Sequence, residues 1–133
     1  MLANAEAKWA VLRAIEELLD HIGNGRLPET IAAFTMDDDV AMYGSEVGEA
    51  AVGPDELRKF FAEIYTRPYR VLFALGKCSI SVAGHVAWFT GDGSYRLSTG
   101  DEPHPYRLTG VLERRRDRWL WQLFSGSEPL ARP

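Results

Sequence analysis

The 133-residue sequence predicts an α+β fold in which three N-terminal helices pack on a curved antiparallel sheet, and three observations carry that expectation. Apolar residues recur at intervals of three and four in the first third of the chain, the spacing of a helix with one buried stripe. After Pro68 the pattern changes to runs of Val, Ile, Tyr, Phe, Trp and Thr punctuated by Gly, Asp and Pro, the composition of strands and turns. Gly76, Gly91, Gly93 and Gly110 fall inside those runs, where they weaken regular pairing and favour bends or bulges.

Taken in order, Leu2, Ala5, Trp9, Leu12, Ile15, Leu19 and Ile22 define the apolar stripe of a long first helix, which Gly23, Asn24 and Gly25 stop. Pro28, favoured in a first turn, opens a shorter second helix through Ile31, Ala33 and Phe34. Val40 to Tyr43 is too short for a helix and reads as a strand leading into a Gly- and Glu-rich loop. Gly53, Pro54, Asp55 and Glu56 start a third helix, whose acids suit the positive end of its dipole. Leu57, Phe60, Phe61 and Ile64 form its apolar side and Pro68 ends it. Four strands follow at about 69–82, 85–97, 105–115 and 118–127, and their short links predict an antiparallel meander. An Asp92-Gly93 tight turn would split the second of these strands; we take it as continuous.

Composition limits the function. A chain that is 46% hydrophobic and 26% charged fits one domain over residues 1–133, and at this size it buries about two-thirds of its unfolded surface without disulfide or metal staples. Its 15 Lys and Arg against 19 Asp and Glu give a net charge of −4, which argues against binding nucleic acid. Glu6, Lys8, Arg13, Glu16 and Glu17 interrupt the first helix, so neither a signal peptide nor a membrane span is expected there. The single Cys78 suits a reducing, cytoplasmic setting.

The order of helices, inserted short strand and long meander resembles the NTF2-like cone fold, which includes ketosteroid isomerases and SnoaL-like proteins. Gly84-His85-Val86-Ala87-Trp88-Phe89 is similar to that group's Gly-Asp-Val-Ala-Trp strand start, with His85 in place of the acid. Thr109-Gly110-Val111-Leu112-Glu113-Arg114, followed by Arg118-Trp119, resembles its threonine, arginine and tryptophan hairpin. With Phe34 to Val40 and Gly53 to Phe60 the similarity spans nearly the whole chain, and the SnoaL-like branch matches best. The resemblance implies a concave sheet that encloses, with the helices, a mostly apolar pocket for a small molecule, and an outer sheet face through which two subunits pair. It does not supply a reaction, because one scaffold hosts many unrelated sites.

Two departures from the family pattern bear on chemistry. The isomerases' general base is a carboxylate two positions after the valine of the short strand; here that position is Met42, whose thioether cannot abstract a proton. Many SnoaL-like relatives end in His-x-Ser-x-Pro with the imidazole in the pocket, whereas this chain has Ser125 there. Strict alternation places Trp119, Trp121, Leu123, Ser125 and Ser127 on one face of the last strand, and Leu120, Gln122 and Phe124 on the other.

The pocket candidates are Tyr43, Tyr65, Asp92, Tyr95, Arg107, Thr109, Trp121 and Ser125, and the wider set of polar candidates for the same pocket adds Glu46, Tyr69, Arg96 and Tyr106. Tyrosines orient a carbonyl or a ring through one hydroxyl and serve equally as half-buried packing. Asp92 with Arg96 or Arg107 is an acid held ionised by a cation or a structural ion pair. His21, His85 and His104 are not spaced to share a metal, and the acids Asp37 to Asp39 fit a solvated loop, so no metal or cofactor is expected. Cys78 fits inert packing, and Arg114 to Arg116 with Arg118 fit an ion-paired hairpin tip. Ligand binding or an accessory role is therefore the leading expectation. An isomerase, cyclase or hydrolase with a non-standard acid/base set comes next, followed by a protein-assembly module.

Overall fold

The computed structural model describes residues 2–100 and 102–130. Helix α1 spans Leu2–Asn24 and buries Val11, Ile15, Leu18, Leu19 and Ile22. That stripe is rotated from the one the sequence suggests, and Trp9 remains 62% exposed, because Val11 and Leu18 meet the sheet in its place. Helix α2 (Leu27–Ala32) carries Pro28 in its first turn as expected but ends before Ala33 and Phe34, and its buried Thr30 donates to the Arg26 carbonyl at 2.7 Å.

Strands β1 (Ala41–Tyr43) and β2 (Ala50–Val52) form a short hairpin before α3 (Pro54–Ile64). No periodicity marks β2, whose three residues are fixed by pairing with β1 and by the Val52 amide donating to Glu56 at 3.1 Å. The meander is β3 (Val71–Ala83), β4 (Val86–Leu97), β5 (His104–Arg115) and β6 (Arg118–Ser127), and β4 runs unbroken through Asp92-Gly93. Sheet order is β2-β1-β6-β5-β4-β3, with β1 parallel to β6 and every other pairing antiparallel, so the sheet is mixed, open and curved.

Two irregularities interrupt the long strands. Register slips in β3 between Leu75 and Cys78, at Gly76. In β6 Leu123 faces Val111 while Trp121 faces Leu112, so Gln122 is an extra residue. A bulge shifts side-chain parity by one. Trp119 and Trp121 consequently share the concave face with Phe124 and Gly126, while Leu123, Ser125 and Ser127 turn to the convex side, correcting the strict alternation. The Gln122 amide ties down the segment ahead of β1, accepting from Thr35 and donating to Asp39, each at 2.8 Å.

The closed end of the cone is solid. Trp121 is fully buried, with ring centroids 5.3 Å from Phe89, 5.3 Å from Phe124 and 6.4 Å from Phe34. Gly110 makes this possible, since a Cβ there would sit 2.6 Å from the indole. Backbone bonds from Trp121 N to Ala33 O (2.8 Å) and from Thr35 N to Trp121 O (2.9 Å) tie the helical layer to β6. At the hairpin tip Arg115 bridges Asp37 through its two terminal guanidinium nitrogens and pairs through Nε with Glu113 at 3.2 Å.

Candidate functional site

At the other end of the cone the helical layer lifts off the sheet and leaves a cavity of about 210 Å³. Its apolar wall comes from Phe60, Phe61 and Ile64 on α3, Met42 on β1, Phe73 on β3 and Phe124 on β6. Helical spacing turns Phe60 and Ile64 toward the hollow, while Phe61 also reaches the core and touches Phe34 with centroids 5.9 Å apart.

The polar end is built by β4, β5, the β1–β2 loop and the chain after β6. Tyr95 donates to Glu128 Oε1 and Ser45 to Glu128 Oε2, both at 2.8 Å. Tyr106 lies flat on Gly126, where a Cβ would fall 1.8 Å from the phenol oxygen, and packs edge-on against Tyr95 with centroids 5.4 Å apart. Burial, aided by the charge of Glu49, pushes the Tyr106 hydroxyl up to about 12, with the Ser45 hydroxyl beside it acting the other way. This phenol stays protonated at neutral pH. Glu49 folds back over its loop and accepts the Glu46 amide at 2.9 Å. Arg67 and Tyr69 complete the lining after α3, and His104 stacks on Tyr95 with centroids 5.3 Å apart.

Of the eight first-named candidates, Tyr95 alone lines this cavity. Tyr43 is 44% exposed and sits beside Ser125 in the sheet register, on the convex face. Asp92 and Arg107 pair at 3.4 Å on that same face, both largely exposed, next to Thr109, whose hydroxyl donates to the Ser125 carbonyl. Ser125 reaches the convex side through the Gln122 bulge. Tyr65 is engaged with Thr30 at 2.7 Å beneath the Arg70 guanidinium, and burial raises its hydroxyl to about 12. Trp121 is a packing residue of the closed end, and its indole nitrogen has no hydrogen-bond partner among the described residues. Of the wider set of polar candidates, Glu46, Tyr69 and Tyr106 come together at the cavity and Arg96 does not line it. Ser45, Glu49 and Glu128 carry no sequence signal, because an irregular loop and a strand exit bring them there.

Cys78 is half-buried, with its thiol pushed up by burial. Among the described residues no group of three His, Cys, Asp or Glu is placed to hold a metal, and no helix is long and apolar enough to cross a membrane.

Residues 11–129 match the family model of the SnoaL-like domain. The chain belongs to the SnoaL-like family. Solved structures with the same fold include a candidate dehydratase of the NTF2-like family from Streptomyces avermitilis, with 18% identity, 96% of this chain and 99% of that one covered, and a TM-score of 0.86. A candidate aromatic ring hydroxylase from Novosphingobium aromaticivorans aligns with a TM-score of 0.79 at 15% identity, over 96% of this chain and 92% of that one. A ketosteroid isomerase-like protein from Erwinia carotovora atroseptica aligns with a TM-score of 0.71 at 18% identity, over 95% of this chain and 98% of that one. No curated protein matches the chain. At these identities the structural neighbours establish the NTF2-like architecture of this SnoaL-like domain, and their differing descriptions fit a scaffold that hosts many chemistries.

Proposed function

We propose that this SnoaL-like domain binds a small, largely apolar organic molecule in the cavity between α3 and the concave sheet, as a ligand-binding or accessory protein of the cytoplasm. The observation that carries the reading is the cavity's make-up: a wall of aromatic and aliphatic side chains closed at one end by Tyr95 and Tyr106. A Tyr106 hydroxyl raised to about 12 supports binding ahead of proton transfer, since a phenol held so far above neutrality is a hydrogen-bond partner and a poor acid. Met42, facing the cavity where the related isomerases carry a carboxylate, supports the same preference. An isomerase, cyclase or hydrolase is the second reading, favoured by the meeting of Tyr95, Ser45 and Glu128.

Pairing of two copies through the convex face belongs to this proposal. Trp88, Val111, Leu123, Ala41 and Val52 stand in one register row across five strands there, with Trp88 47% exposed. Native mass spectrometry of freshly purified protein tests both parts: the expected species is a dimer with a retained small molecule. Trp88→Glu is expected to weaken the dimer about thirtyfold or more while leaving the retained molecule in place. A bare monomer at micromolar concentration would count against ligand and dimer together.

A further inference from the structure

The cavity's polar end has an unequal supply of hydrogen-bond donors and acceptors. The hydroxyl protons of Tyr95 and Ser45 both point at Glu128, which leaves Tyr69 and the protonated Tyr106, beside Ser45, as the hydroxyl donors of this end. Among the described residues, Glu46, Glu49 and Glu128 add carboxylates that can only accept, against Arg67 as the one guanidinium in the lining. Among those residues three negative charges against one positive make this end of an otherwise apolar hollow electronegative. An anionic ligand would enter against that field, whereas a protonated amine would bring the opposite charge and further donors to these carboxylates.

Resting on the reading of this cavity as a ligand site, we propose that its occupant is an organic cation: a ring-sized apolar body against Phe60, Phe73 and Phe124, with an amine toward Glu128 and Tyr95. The cavity makes the site, and the carboxylates set its selectivity.

Three probes of similar shape, 2-phenylethylamine, 2-phenylethanol and phenylacetate, distinguish the cases in amide chemical-shift titrations. The amine is expected to bind about tenfold more tightly than the alcohol, the gap between charge-assisted and neutral hydrogen bonds, and phenylacetate most weakly. Glu128→Gln, a change at an exposed side chain, is expected to bring the amine-to-alcohol ratio down toward one, and Phe60→Ala to weaken both while keeping their ratio. Equal affinities, or a preference for phenylacetate, would overturn the cation assignment and leave the cavity reading standing. If none of the three probes moves amides around Phe60 and Tyr106, both fall.

Discussion

The two ends of the cone are built from the same strands and differ in what covers them. At the closed end Trp121 crosses Gly110 to meet Phe89, and Phe34 and Phe61 press down from the helical layer. At the open end Tyr106 also lies across a glycine, Gly126, yet there the ring hugs the sheet and the space above it is left to Phe60, Ile64 and the β1–β2 loop. A glycine beneath an aromatic ring therefore serves two purposes. With a helix above it gives a filled core, and with a helix end and a loop above it gives a floor.

The largest expected effect lies at the closed end. Trp121→Ala removes the centre of the aromatic cluster and should cost roughly 3–5 kcal/mol in urea unfolding, whereas Phe60→Ala, facing the hollow, should cost less than about half as much. Equal losses at the two sites would mean that the open end is as tightly packed as the closed one. Next comes Gly110→Ala. The added methyl would fall 2.6 Å from the indole and 2.7 Å from the Leu123 carbonyl, and overpacking of this kind costs about 1–3 kcal/mol. An unchanged midpoint would show that Trp121 moves aside freely.

The smallest effect concerns the tie between Asp37 and Arg115. The guanidinium hydrogen-bonded to Asp37 holds its carboxyl below the ordinary 3.8. A carboxyl depressed in the folded state stabilises it fully above the unfolded value, and the contribution is lost as pH falls through the folded one. Asp37→Asn should thus lower the melting temperature slightly at pH 7 and make the protein less sensitive to acidification below pH 3.8 than the parent chain. An equal loss of melting temperature for both proteins on acidification would show the pair to be silent.

Much of this architecture is legible in local chemistry. Pro54 with Asp55 and Glu56 announces α3, and the meander's strand limits follow from glycine, proline and Arg116-Asp117 punctuation. The stretch Trp119 to Phe124 misleads because residues of both parities are apolar, so nothing in the pattern marks where parity changes. Gln122 becomes the extra residue through partners some 80 positions away, Thr35 and Asp39. The candidate site shares that difficulty: Tyr95 stands out in sequence, while Ser45, Glu49 and Glu128 belong to segments with no period to read.

By itself the sequence determined the helices, the long strands and the likeness to NTF2-like cones, because periodicity, capping and turn chemistry act over a few residues. Tertiary structure alone decided which face of β6 looks inward, where the hollow lies and which carboxylates border it. Those outcomes depend on register and on close contacts between distant segments, which carry no local signature.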